Sequence, residues 1–308
     1  MLRYNYRINN SSIMKEESER ISSKETKESI DNQEINLQFH WYLFSFFLVY
    51  IISLLIPGII FLLYFTSFFL PYFLEAENFL LLFFNINSLL SFLLMPLVII
   101  SCYCLRLFLI ALITRILWAI TEKKSPSKDG NIPRNIPSKI LNYYHIRSFL
   151  IKHPKNVFVK GVFPWLTNWL YNFVKTNEIG KGTTIEEQVC ADKYVQIGKN
   201  SYIGVNSVLT SHLVEGIFGN TIYFKLKVGD NVTLGGWNCF ASGTEINNNS
   251  YLMPSAHGGK HYIVKGNNFY FGMPLRKIFK KKIAGYLGLT LEDLEKNEEL
   301  TKIQQKDT

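Results

Sequence analysis

Charge is missing from two long stretches of this 308-residue chain. From Trp41 to Leu74 no residue carries a full charge, and none does from Phe79 to Leu105. Core helices of soluble proteins rarely stay uncharged over so many turns, whereas about 20 apolar residues suffice to cross a bilayer core. The two stretches therefore predict a transmembrane helical hairpin over 38–121, with Pro57-Gly58 as the kink point of its first helix. Arg106 and Arg115 stand at the exit of the second, where long side chains reach the headgroups. Cysteine is scarce as well. Cys102, Cys104, Cys190 and Cys239 show no metal-ligand spacing, and nothing in them argues for a disulfide framework. The first 37 residues lack an apolar run behind a basic start, which argues against a cleavable signal and for a disordered cytoplasmic tail.

What charge there is carries a sign. The formal net charge is +9. Six basic residues precede the first span, and Lys123, Lys124, Lys128, Arg134, Lys139, Arg147, Lys152 and Lys155 follow the second. The intervening tip carries Glu75 and Glu77 and no base. Both termini, and everything beyond the hairpin, are expected on the cytoplasmic face of a cell membrane. Juxtamembrane charge of this kind suits anionic lipid, so a nucleic-acid partner is not needed to explain it. Residues 122–176 read as a basic, aromatic linker punctuated by Pro126, Pro133, Pro137, Pro154 and Pro164. Within it, FPWLTNWLYNFV (163–174) fits either an interfacial helix or a cap for the next domain.

Residues 177–278 repeat. Ile179, Ile185, Ala191, Ile197, Ile203 and Leu209 stand six apart, and after a break at 213–227 so do Val228, Leu234, Phe240, Ile246 and Leu252. Gly180, Gly198, Gly204, Gly229 and Gly235 follow five of these positions, and Asn200, Asn206, Asp230 and Asn231 stand near the turns. Such a frame makes one short strand and one turn per hexapeptide. Three hexapeptides close a triangular coil, with the second positions stacked inside it. An ordinary sandwich strand would alternate with period two. The break must project from a corner. Residues 279–308 read as a C-terminal helix and charged tail.

This frame resembles the hexapeptide-repeat acyltransferase superfamily, as does Gly272-Met273-Pro274-Leu275-Arg276-Lys277-Ile278 after it. NEIGKGTTI (177–185), SVLTSHLVEG (207–216), LKVGDNVTLG (226–235) and NSYLMPSAHGG (249–259) are more specifically similar to the membrane-embedded β-helix modules ending polylysine-synthetase-type, amino-acid-polymerising peptide synthetases. Those proteins alternate three modules with spanning helices, and this chain carries one hairpin and one module. The resemblance implies a membrane α-helical hairpin plus an all-β left-handed parallel β-helix. It also implies acyl or aminoacyl transfer from a thioester, on coenzyme A or a carrier protein, to an amine or hydroxyl. A homotrimer with sites between neighbouring β-helices is expected.

In such an enzyme one histidine acts as general base. His212 is the candidate, with Glu215 placed by the same His-x-x-Glu match to orient its ring; a turn histidine and a solvated loop carboxylate are the plainer readings. Lys260 and Lys265 are candidates to meet the phosphates of coenzyme A. Trp237 and His257 are candidates for substrate contact, although Trp237 and Phe240 also fit coil packing. His257 and His261, with His212, make a γ-carbonic-anhydrase-like metal site a rival, but the neighbouring Gly258-Gly259 favours a loop, and no metal is favoured. A non-catalytic trimeric membrane scaffold is the second rival.

Overall fold

A computed structural model describes residues 39–74, 78, 80–186 and 193–296. The N-terminal tail, the acidic tip at Glu75 and Glu77, Cys190, the frame position Ala191 and residues 297–308 lie outside the described residues.

Helix α1 (Phe39–Tyr64) runs through Pro57 without a break, and the hydrogen-bond pattern changes instead in a π-helical turn at Phe65–Phe69 before α2 (Leu70–Leu74). Pro57 lies on the buried stripe Tyr42, Ser45, Val49, Ser53 and Pro57. Small residues on such a stripe let two helix backbones approach closely. The partner is α3 (Ile86–Lys124), whose first turn is capped by the Asn85 side chain accepting from Asn87 N at 3.0 Å. The Tyr64 hydroxyl bridges the pair by donating to Ser91 O at 2.6 Å. Both helical stretches, Phe39–Leu74 and Ile86–Lys124, are long and apolar enough to cross a membrane.

The expected linker is a folded layer. Helix α3 buries Leu107, Ile110, Ala111, Thr114, Trp118 and Thr121, a stripe at helical spacing. Against it pack α4 (Lys139–Leu150), α5 (Lys152–Val159) and α6 (Thr167–Val174), through Leu150, Ile151, Phe158, Leu170 and Val174. Its basic residues are not all at the surface either. Arg147 is buried and donates to Ser125 O at 2.6 Å while pairing with Glu122 at 3.4 Å, which ties α4 to the end of α3.

Beyond α6 the chain winds into a three-faced parallel coil. Face one stacks Glu178–Ile179, Val195–Ile197, Leu226–Val228, Glu245–Ile246 and Ile263–Val264. Face two stacks Thr184–Ile185, Tyr202–Ile203, Thr233–Leu234, Tyr251–Leu252 and Phe269–Phe271, and face three stacks Val208–Leu209, Cys239–Phe240 and His257–Gly258. Stacked partners stand three hexapeptides apart in sequence, as Ile185 with Ile203 and Leu234 with Leu252. Ile203 pairs with Leu234, well beyond that spacing, so the break adds extra chain to this one coil. The interior is the second-position column, with Ile203, Leu234, Phe240, Leu252 and Val264 fully enclosed. The frame also runs further than its aliphatic positions show, through Gly258, Val264 and Tyr270.

One corner of the coil is an asparagine ladder. Asn200, Asn231, Asn249 and Asn267 all adopt φ between 53° and 57°. Asparagine tolerates this left-handed region because its short amide bonds locally. Asn231 donates to Asn249 at 3.2 Å, and Asn249 to Asn267 at 2.9 Å. At the first coil's end, the Asn172 side chain of α6 both accepts from Ile179 N and donates to Ile179 O, each at 2.8 Å. An amide used in this way stands in for a neighbouring strand and covers an open sheet edge. The 163–174 stretch is thus a cap on the coil. At the far end, Arg276–Ile278 turns back antiparallel on Phe269–Phe271, and α7 (Lys280–Leu287) packs Ile283 and Ala284 against that side.

Candidate functional site

The break in the coil is a β-hairpin. His212–Glu215 pairs antiparallel with Asn220–Tyr223, which in turn pairs with Gly130–Pro133 from the segment after α3. It occupies 212–225 rather than 213–227, since Leu226 has already rejoined face one. His212 holds the place in its coil, three positions past Leu209, that Gly243 and His261 hold past Phe240 and Gly258 in the coils above. Gly243 and His261 take left-handed turn conformations. At His212 the chain leaves the coil instead of turning.

The hairpin decides where its side chains go. Side chains three apart on a strand face opposite ways, whereas directly paired residues share a face. His212 therefore shares a face with Tyr223. Its ring meets Tyr144 of α4 edge-on at 5.9 Å, and Tyr144 meets Tyr223 at 5.4 Å. The His212 Nδ1 atom is buried. The Thr210 hydroxyl donates to His212 O at 2.7 Å and accepts from His212 N at 3.3 Å, which fixes the backbone beneath the ring.

Glu215 goes the other way. Its carboxylate accepts from Lys260 Nζ on the coil. The expected orientation of the His212 ring by Glu215 is thus replaced by an ion pair, because alternation along the strand turns the two side chains apart. Lys260 and Lys265 do not converge on one group either. They flank the Ile263–Val264 strand and so lie at different corners, Lys265 beside the asparagine ladder.

His257 points outward from face three beside its strand partner Cys239, with Nδ1 2.8 Å from Ser255 O. Burial pushes the Cys239 thiol up, which keeps it protonated and a poor nucleophile. Trp237 does not pack in the coil. It takes a left-handed turn at the corner between faces two and three and is 64% exposed, whereas Phe240 is fully buried. The His261 ring lies over Gly243 and meets Phe224 at 4.5 Å. Among the described residues no group of three or more His, Cys, Asp or Glu is arranged to hold a metal.

Two residues behind His212 have no precedent in the sequence reading. Lys193 is 1% exposed; its ammonium lies 4.0 Å from the Tyr144 ring centroid and donates to the Ser148 hydroxyl. Cation–π attraction is strongest where the charge is desolvated. The Ser211 hydroxyl donates to Lys193 O at 2.8 Å, joining this charge to the residue before His212. On the neighbouring turn of α4, burial and then the charges of Lys193 and Arg134 hold the His145 ring below the ordinary imidazole value. The buried spacing Leu141, Tyr144, Arg147, Leu150 was the available signal for α4. Lys193 gave no local signal.

No family model and no curated protein matches this chain. Solved structures do resemble it. One is a hexapeptide-repeat-containing acetyltransferase from Vibrio cholerae, 23% identical over 35% of this chain and 64% of that chain, with a TM-score of 0.31. Another, from Vibrio cholerae O1 biovar eltor and complexed with acetyl coenzyme A, is 19% identical over 41% and 81%, with a TM-score of 0.36. A serine acetyltransferase from Neisseria gonorrhoeae is 15% identical over 57% and 54%, with a TM-score of 0.35. The chain thus spans 64% of the length of the first of these and 54% of the last.

Proposed function

We propose that this protein is a membrane-anchored, left-handed β-helix acyltransferase. It moves an acyl or aminoacyl group from a thioester donor, on coenzyme A or a carrier protein, to an amine or hydroxyl. The observation that carries the reading is the position of His212, where the regular register of the coil breaks and the ring is held by Tyr144. In this reading His212 takes the proton from the acceptor as that group attacks the thioester carbonyl. The tetrahedral adduct then collapses, the C–S bond breaks, and the leaving thiolate receives the proton from the imidazolium. Glu215 holds Lys260 at the same corner, where it meets negative charge on the donor, and His257 and Trp237 border the acceptor's approach along face three.

In this proposal two spans, Phe39–Leu74 and Ile86–Lys124, anchor the coil, supported by their length and apolar surface, and the basic residues flanking them support its place at the cytoplasmic face. A homotrimer is supported by the exposed apolar corner of Val205, Trp237 and Met273. The test is thiol release from acetyl coenzyme A and from acylated carrier protein by the full chain in detergent, with amine and hydroxyl acceptors. Acceptor-dependent release is expected. Intact thioesters across the panel would overturn the proposal.

A further inference from the structure

Where the end of α3 meets the base of the coil, a cavity of about 440 Å³ opens between the two halves of the molecule. Aromatic rings of Trp118, Tyr194 and Tyr223 wall it, and Arg115, Lys175 and Lys225 reach it from three separate segments. Tyr223 is the strand partner of His212, so one wall of the cavity stands beside the proposed general base.

The charge balance of the cavity is positive. Of its two acids, Glu122 pairs with the buried Arg147 and accepts from Ser127 N and its hydroxyl at 2.9 and 2.6 Å, whereas Glu178 accepts from the neutral Gln196 and keeps its charge, so three cations stand against one unpaired carboxylate. The three cations form no ion pair among the described residues. Arg115 lies 4.6 Å from the Phe173 ring centroid, and Lys225 5.2 Å from that of Tyr194. Each ring offsets part of the charge but carries no formal charge to neutralise it.

A second feature points to a ligand. Thr176 lines the cavity, is 4% exposed, and its hydroxyl has no hydrogen-bond partner among the described residues. A buried hydroxyl left unsatisfied is unfavourable unless something from outside supplies the bond. Tyr194 contributes its ring to the wall: its hydroxyl, pushed up to about 12 by burial and by Asp129, already donates to that carboxylate.

We propose that this cavity binds a phosphate-bearing ligand, with Arg115, Lys175 and Lys225 neutralising the phosphate, Thr176 completing its hydrogen bonds, and the organic portion lying against Trp118 and Tyr223. The proposal rests on the acyl-transfer reading only for the direction in which the ligand points, toward His212. Two sources carry this chemistry: the phosphates of a coenzyme A donor, and the headgroup of a membrane phospholipid.

The test uses the full chain in a phospholipid-free detergent. Calorimetric titration with coenzyme A, and with pantetheine as the phosphate-free control, reads the soluble source. Mass spectrometry of phospholipid retained after transfer from anionic nanodiscs reads the other. Binding in one arm is expected, and Arg115→Gln with Lys225→Gln should weaken it at least about tenfold, since charge-assisted bonds are the strong ones. Lys175→Gln, at an exposed position, and the near-isosteric Thr176→Val should each weaken it several-fold while the chain stays folded. No phosphate-dependent binding in either arm, or equal binding by all variants, overturns the site. Binding that depends on these residues in a chain that transfers no acyl group keeps the site and removes the acyl-transfer reading.

Discussion

The rings of Tyr144 and His212 meet in a T-shaped contact, centroids 5.9 Å apart, and Tyr144 holds the ammonium of Lys193 4.0 Å from its own centroid. One side chain thus joins the helical layer to the break in the coil. It also gives a buried charge its main aromatic contact.

Removing that ring should therefore cost stability as well as function. Tyr144→Leu is expected to lower unfolding stability by about 2 kcal/mol or more, since it strips both packing and a desolvated cation–π contact. Placing it in a Lys193→Met background should cost less, because the charge that needs the ring is then gone. Equal losses in both backgrounds, read from denaturant unfolding in detergent, would show that Tyr144 does not stabilise Lys193.

The interior of face three sets a size limit. Phe240 is fully buried, and a Cβ built at Gly258 in the next coil would lie 2.7–2.8 Å from its ring. Gly258→Ala should cost about 1–3 kcal/mol by overpacking, and Phe240→Leu should recover much of that loss. A Gly258→Ala thermal midpoint equal to wild type would contradict the packing.

The pH dependence of stability has a definite sign. His145 is held below the ordinary imidazole value by burial, Lys193 and Arg134, and burial with Arg106 lowers His153 the same way. Below about pH 6.5 the unfolded chain takes up protons that the folded chain resists, so stability should fall as pH falls through that value. Near pH 8 these groups contribute no slope. His145→Gln should flatten part of the decline between about pH 6.5 and 5 and leave the His153 part. An unchanged slope would show that His145 does not titrate as its surroundings require.

The coil was legible because its packing is written locally: each turn repeats the last three hexapeptides on, so the aliphatic column appears as a six-residue frame. The frame was lost to view at Gly258, where Phe240 of the preceding coil leaves no room for a side chain, and at Tyr270, whose hydroxyl finds Lys265 O at 2.8 Å. The break hid a hairpin although Gly216 and Gly219 flank its tip. Recognising strands there would have separated His212 from Glu215 by alternation alone. The contacts of Lys193 with Tyr144 and of Arg147 with Ser125 join segments remote in sequence, and no local spacing records them.

The central claim is that His212 acts as general base without Glu215 orienting it. Thioester consumption by His212→Ala and Glu215→Gln, measured over a range of donor concentrations, tests it most directly. The account predicts that His212→Ala lowers kcat by about 10²-fold or more in a folded, membrane-bound chain. Glu215→Gln should leave kcat within about threefold and change KM for the donor, by releasing Lys260. Activity of His212→Ala within about threefold of wild type, or a kcat loss in Glu215→Gln as deep as in His212→Ala, would contradict it.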